Sequence, residues 1–116
     1  MSRRDDSISL RHMLDFAREA VALAKDRSRA DLDTDRMLMH ASTRLIEIIG
    51  EAARRVSSES RQRHADIPWA NISGTRDRLI HAYDRVDLDI LWDILELDLP
   101  TLVDQLERIL PEISSG

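Results

Sequence analysis

Apolar residues recur at intervals of three and four along almost the whole chain, which is the spacing of one face of an α-helix. This spacing predicts a first helix over about residues 8–26, with Ser7 as its N-terminal cap. Its apolar stripe holds Leu10, Leu14, Ala17, Val21 and Ala24. No segment alternates apolar and polar residues as a half-buried strand does, so the pattern favours a helical fold.

A second and longer helix is predicted over residues 34–57, with Asp31 and Asp33 as candidate N-terminal caps. Gly50 lies inside it, where a glycine costs about 1 kcal/mol against alanine. Either the close approach of another helix or simple tolerance explains that glycine. The main apolar stripe holds Leu38, Leu45, Ile49, Ala52 and Val56, and Met37, Ala41 and Ile48 widen it. So wide a stripe predicts neighbours on more than one side.

Three further helices are predicted after a polar stretch over residues 57–67, which is interpreted as a loop with a short helical turn. The third helix begins at Pro68 and runs through Tyr83. Asp87 is expected to cap a short fourth helix, and Asp98 to cap the last one. The predicted fold class is therefore all-α, most simply a four- to five-helix bundle with short connections.

The composition fits one soluble domain spanning residues 1–116. Hydrophobic residues make up 42% and charged residues 34%, and there are only three glycines and three prolines. Cysteine is absent, which excludes disulfides and thiolate metal sites. The first residues lack the pattern of a signal peptide, and no apolar run approaches the ~20 residues of a membrane span. A cytoplasmic protein is predicted.

The net charge of −5 does not indicate nucleic-acid binding. The charge is, however, unevenly distributed along the chain. Residues 52–64 hold four arginines against one glutamate, whereas residues 86–116 hold eight acids against one arginine. The cations are 16 arginines and the single Lys25, and the planar guanidinium suits phosphates and ion pairs. Most of these arginines are interpreted as partners of acids on helix surfaces.

One short segment concentrates groups that can perform phosphate chemistry. It reads Arg-Asp-Arg-Leu-Ile-His-Ala-Tyr over residues 76–83. Arg76 can hold a phosphate, His81 can move protons near neutral pH, and Tyr83 offers a hydroxyl. A short pattern of this kind also fits an ordinary exposed helical face.

The spacing within this segment bears on how a site would be built. On an ideal helix Arg76 and Tyr83 share a face, whereas His81 lies about 140° from Arg76 around the axis. Asp77, four residues before His81, shares a face with it. This geometry predicts a homodimer in which Arg76 of one chain meets His81 of the other.

The segment from Ile67 to Asp87 resembles the signature of the HepT-like toxins, which are small helical ribonucleases of the HEPN superfamily. Residues 45–55 resemble the central helix of that family, and residues 98–102 resemble its last helix. The resemblance covers nearly the whole chain. It departs at Asp77, where the family often has asparagine.

This resemblance implies a toxin of a toxin–antitoxin pair that cleaves RNA in a cleft between two subunits, with no metal or other cofactor. His81 is then the general acid or base, and Arg76 stabilises the charge on the phosphorane. Asp77 either holds the imidazole or is a simple surface partner of His81 or Arg78. The resemblance also implies that a minimal nucleotidyltransferase, acting as antitoxin, adenylylates Tyr83.

A different class of function is the alternative, namely a catalytically silent helical module that binds a nucleotidyltransferase subunit. The intact Arg76, His81 and Tyr83 argue against a decayed site. A nucleotidyltransferase in the neighbouring reading frame would indicate a toxin–antitoxin pair, and an RNase assay separates an enzyme from an adaptor.

The remaining histidines and the tryptophans are weaker candidates. His12 and His40 fall at polar positions of predicted helices, whereas His64 could contact RNA phosphates. Trp69 and Trp92 are interpreted as apolar anchors in preference to platforms for bases. No pair of histidines has the spacing of a helical metal site.

Overall fold

Helices account for nearly all the regular structure of the chain, as predicted. The computed structural model describes residues 3–81 and 85–115. Its helices are α1 Arg3–Ala24, α2 Asp31–Thr34, α3 Arg36–Arg54, α4 Ser58–Arg63, α5 Trp69–Ser73, α6 Thr75–Leu79, α7 Leu88–Asp93 and α8 Leu99–Ser115. A π-helical segment, Ile94–Asp98, joins α7 to α8, and two short strands, β1 Ile80–His81 and β2 Arg85–Val86, pair antiparallel.

The core lies between the three long helices, with α1 packed against both α3 and α8. All five residues of the main stripe predicted for the second helix are buried, although Val56 lies just beyond the end of α3. Leu10, Leu14 and Ala17 of α1 are buried as well. On α8 the buried residues include Leu102 and Leu106. The helical spacing therefore predicted the buried faces of α1 and α3. Met37, by contrast, is 81% exposed, so the extra apolar width of α3 does not enter this core.

The N-terminal cap of α3 is Asp35, and the predicted caps Asp31 and Asp33 are wrong. Asp35 has an extended backbone, and its carboxylate accepts a hydrogen bond from the Leu38 N–H at 3.0 Å. Asp31 and Asp33 lie one turn earlier in the short helix α2, where the Asp31 carboxylate accepts from the Ser28 N–H at 2.7 Å. The sequence offers three acids at alternate positions, and the backbone conformation selects the third.

Ser7 does not cap the first helix, because α1 already begins at Arg3. The residue that fixes this end of the helix is Asp6, which is only 5% exposed. Its carboxylate accepts hydrogen bonds from the N–H and hydroxyl of Ser57 and from the hydroxyl of Ser60. Burial alone raises the pKa of Asp6, but these hydrogen bonds outweigh it and hold the pKa below its ordinary value. Asp6 thereby ties α1 to the start of α4.

Gly50 is the point where α5 approaches α3. A Cβ placed on Gly50 would lie 3.0 Å from the carbonyl oxygen of Ile72. A glycine lets the two backbones meet at this distance without a clash. Of the two explanations for this residue, the close approach is the one that the structure supports.

The predicted third helix over Pro68–Tyr83 is wrong beyond its first turns. α5 ends before Gly74, α6 ends at Leu79, and the chain then turns into the extended β1. In a continuing helix the Leu79 carbonyl would accept from the N–H four residues later. It accepts instead from the Asp87 N–H at 2.7 Å, so the start of α7 holds the end of α6.

Of the two caps predicted in the last third of the chain, one is right and one is wrong. The Asp87 carboxylate accepts from the N–H groups of Asp89 and Ile90, both at 3.0 Å, and caps α7. Asp98 caps nothing, because α7 continues through the π-helical segment into α8 without a break. π-Helical turns are rare and often occur near functional sites.

Candidate functional site

Arg76 lies on α6 with its side chain 68% exposed. Its Nε is 3.9 Å from a carboxylate oxygen of Glu47 on α3, and that carboxylate side chain is 22% exposed. So long a contact to an exposed guanidinium is a weak tether, worth under about 1 kcal/mol. Arg76 is therefore available to bind an anion while Glu47 biases its direction.

A second arginine lies beside Arg76. Arg54, at the C-terminal end of α3, lines the same shallow depression, which is formed where Gly50 lets α5 approach. Its Nη2 donates to the carbonyl oxygen of Ser73 at 2.6 Å, which fixes its position. Two guanidinium groups of this kind form a site suited to a phosphate. Glu47 and Glu51 line the depression as well and lower its positive potential.

The structure describes the other motif residues to different extents. Asp77 is exposed on α6, and its carboxylate makes no hydrogen bond or ion pair with the described residues. The backbone of His81 lies in β1, whereas its side chain and the whole of Tyr83 lie outside the described residues. Because His81 is not helical, its predicted angle to Arg76 and its helical neighbourhood with Asp77 do not apply.

The strand pair places a cationic residue that the sequence analysis missed. His81 pairs with Arg85 in the β1–β2 register, so their backbones lie directly opposite each other. The side chain of Arg85 is exposed. Residues opposite each other in such a ladder are near neighbours. The signal for this pairing is weak, since each strand has only two residues.

The secondary candidates are mostly structural where the chain is described. Trp69 is half-buried against the core, and its Nε1 donates to the His64 carbonyl at 3.0 Å. Trp92 also packs against the core, which supports the interpretation of both tryptophans as anchors. His12 packs edge-on to Phe16, with ring centroids 6.3 Å apart.

The described residues hold neither a metal-binding cluster nor a membrane-spanning helix. Over residues 3–81 and 85–115, no three histidine and carboxylate side chains lie close enough together to hold a metal ion. Within the same part of the chain, no helix has the length and apolar character needed to cross a membrane.

Comparison with known proteins gives one family. The family model described as "Ribonuclease HepT-like" matches residues 13–109. A protein of Thermococcus cleftensis named "Probable ribonuclease HepT" is 35% identical over 78% of this chain and 86% of its own length. A Methanocaldococcus jannaschii protein named "Putative RNase" is 33% identical over 94% of this chain and all of its own length.

A second M. jannaschii protein is longer than this chain. It is named "Gamma-glutamylcyclotransferase and putative RNase" and is 35% identical over 98% of this chain. The chain spans about half of that relative, 51% of its length. No solved structure gives a significant match.

Proposed function

We propose that this chain, which belongs to the ribonuclease HepT-like family, cleaves RNA by acid–base chemistry at Arg76 and His81. The observation that carries the proposal is the exposed guanidinium of Arg76 beside Arg54 in one depression. A phosphodiester is the anion that such a pair of guanidinium groups would bind in a ribonuclease. The relatives named as ribonucleases supply the reaction class.

Each motif residue has a role in the proposed reaction. His81 takes a proton from the 2′-hydroxyl or gives one to the leaving oxygen, which an imidazole can do near neutral pH. Arg76 stabilises the charge that builds on the phosphorane. Asp77 keeps a supporting role in this proposal as a charge on α6, and not through a helical pairing with His81. No step uses a metal ion.

We place the active site between two copies of the chain. The resemblance to HEPN ribonucleases implies a cleft between subunits, and the exposure of Arg76 leaves it free to reach a second chain. Met37, 81% exposed on α3, offers apolar surface for such a contact. Symmetric pairing of identical chains is the commonest form of assembly.

We further propose that the protein is a toxin controlled at Tyr83 by a partner nucleotidyltransferase. Adenylylation would add a phosphate and a nucleoside a few residues from Arg76. The new anion would compete with RNA for that guanidinium and repel the RNA backbone. Tyr83→Phe should keep RNase activity yet escape neutralisation by a catalytic antitoxin. Intact-mass spectrometry after co-expression should show AMP additions that Tyr83→Phe lacks.

The test is cleavage of RNA by the purified chain and by Arg76→Ala and His81→Ala. Both variants should lose activity by about 100-fold or more, as is usual for an acid–base group or a charge stabiliser. Arg108→Ala is the control for Arg76→Ala, and His12→Ala is the control for His81→Ala. Each removes the same type of side chain from an exposed position elsewhere and should leave activity unchanged.

Two outcomes would contradict the proposal in different ways. Loss of activity in EDTA, restored by a divalent ion, would overturn the metal-free mechanism. A wild-type chain that cleaves no RNA yet binds a nucleotidyltransferase tightly would instead support the alternative of a silent partner-binding module.

A further inference from the structure

A groove of about 510 Å³ lies between α3, α5, the π-helical segment and α8. This volume is within the ~300–1,000 Å³ of ordinary small-molecule sites. Ile46, Ile72 and Thr75 line both this groove and the depression beside Arg76. The two features are therefore adjacent, and Thr75 directly precedes Arg76 in the chain.

The groove combines an apolar floor with hydrogen-bonding walls. Ile49 and Leu102 form part of the floor and are almost fully buried. Gln105 on α8 donates from Nε2 to the Asp66 carbonyl at 3.0 Å, and this bond sets the orientation of its amide. The Gln105 Oε1 is buried and has no hydrogen-bond partner among the described residues. A buried acceptor without a donor is costly, so a bound donor would stabilise it.

The charged residues that line the groove determine which part of an RNA chain it can bind. Asp66 and Asp98 line it, so it is a poor place for a phosphate. Arg78 lines it as well, 3.9 Å from the Asp98 carboxylate and 41% exposed. An arginine plane can stack on a base, while acceptors such as the Gln105 Oε1 pair with the exocyclic amino groups of bases.

We infer that this groove binds one unstacked nucleobase of the RNA, next to the scissile phosphate held at Arg76, and that it prefers a base carrying an amino group. The inference rests on the proposed ribonuclease function, which it deepens by assigning a specificity site. The apolar floor takes the face of the base. The buried Gln105 Oε1 meets the amino edge of the base when the side chain rotates and gives up its bond to the Asp66 carbonyl. Adenine, cytosine and guanine satisfy this pattern, whereas uracil offers no amino group.

The first experiment measures binding without cleavage. ¹⁵N-labelled protein is titrated with the 3′-monophosphates of cytidine, adenosine and uridine while the side-chain amides of Gln105 and Asn71 are followed by NMR. Both amides line the groove and should shift with the cytidine and adenosine nucleotides, and about tenfold more weakly with uridine. Thr101→Trp should abolish these shifts, because Thr101 is exposed at the rim of the groove.

The matched control for that variant is Thr34→Trp. Thr34 is also exposed, and its hydroxyl donates to the carbonyl of Asp31, as that of Thr101 donates to the carbonyl of Leu97. It lies on α2, away from the groove, so Thr34→Trp should bind the nucleotides as the wild type does.

The second experiment reads base preference from the ends that the protein produces on an RNA of random sequence. The wild type should prefer amino-bearing bases at one position beside the cut. Thr101→Trp and Gln105→Met should still cleave RNA, since neither residue touches the phosphate. Their preference for amino-bearing bases should be about tenfold weaker than that of the wild type. Thr34→Trp should keep the preference.

The outcomes separate the groove from the cleavage site. Cleavage with unchanged preference in Thr101→Trp, together with unshifted groove amides, overturns the groove proposal and leaves the ribonuclease intact. Nucleotide binding in the groove by a protein that cleaves no RNA supports the groove and refutes the proposed function. Conversion of a dimer to a monomer by Thr101→Trp, but not by Thr34→Trp, means that a second copy covers the groove, and the inference is then wrong.

Discussion

The direction of the Arg76 side chain depends on Glu47, a residue of another helix. Within residues 3–81 and 85–115, Glu47 is the carboxylate that pairs with the Arg76 guanidinium, at 3.9 Å, and it is more buried than Arg76 itself. A less mobile anion beside a mobile cation can direct the cation without neutralising it. Because the contact is long and partly solvated, its energetic value is small.

Glu47→Gln should therefore lower kcat for RNA by no more than about fivefold, which corresponds to a pair worth under ~1 kcal/mol. The KM for RNA should not rise, since the substitution also removes a negative charge beside the phosphate. Steady-state cleavage of a short RNA separates the two parameters.

Glu51→Gln is the matched control for this variant. Glu51 lies one turn further along α3, lines the same depression, and pairs with Arg44 at 3.6 Å. Glu51→Gln should leave kcat unchanged. An equal fall in kcat for both variants would show that general electrostatics, and not the positioning of Arg76, is at work.

The carboxylate of Asp6 stabilises the fold and takes no part in the proposed site. Because its folded pKa lies below the ordinary value, its stabilising effect is present above the unfolded pKa of about 3.9 and is lost as the pH falls through the folded pKa. Asp6→Asn should lower the free energy of unfolding by about 1–3 kcal/mol at pH 7. The difference from the wild type should shrink below about pH 4.

Urea denaturation at several pH values checks this prediction. Asp15→Asn makes the same exchange at an exposed position of the same helix and should change stability by less than about 0.5 kcal/mol. A destabilisation by Asp6→Asn that persists unchanged at pH 3 would mean that shape, and not charge, is what matters at this position.

The contact between α3 and α5 decides where α6 and Arg76 lie. Gly50→Val should destabilise the protein by roughly 1–3 kcal/mol, because the added Cβ meets the Ile72 carbonyl oxygen at 3.0 Å, closer than in most Cβ contacts, and the rest of the side chain adds to the crowding. Thermal unfolding measures the effect. RNA cleavage should fall as well, since α5 leads directly into α6.

Ala41→Val introduces the same residue at an exposed position of the same helix and controls for its helix propensity. It should change stability by less than about 1 kcal/mol. Equal unfolding temperatures for the two variants would show that α5 can move away freely from α3.

The helices themselves differ in how far the sequence could predict them. The buried faces of α1, α3 and α8 follow from apolar spacing, which is local information. The end of α6 does not, because it depends on a hydrogen bond from Asp87 to Leu79 that forms only after the chain has turned back. Asp98 looks like a cap in sequence, but a π-helical turn carries the helix through it.

At the scale of the whole molecule, the candidate site was only partly predictable. Arg76 was found from the motif, but Arg54 and Glu47 are 22 and 29 residues away and meet it only through the packing of α5 on α3. Helical angles give no support for a dimer, because β1 begins at Ile80 and His81 is not helical. The composite site now depends on the family resemblance and on the exposure of Arg76.

A mixed dimer of two inactive chains tests that composite site directly. One chain carries Arg76→Ala and the other His81→Ala, and differently tagged copies are co-expressed and purified as the heterodimer. If each site takes Arg76 from one chain and His81 from the other, one of the two sites in this dimer is intact. Its activity should be about half that of the wild type, while each variant homodimer has none.

The same dimer distinguishes the opposite arrangement. If Arg76 and His81 act within one chain, both sites of the heterodimer are defective, and it should be as inactive as the homodimers. Sedimentation should also give about twice the 13.3 kDa chain mass for the wild type and for each variant. A protein that cleaves RNA as a strict monomer would contradict the composite site whatever the mixed dimer does, because no second chain would then be present to supply His81.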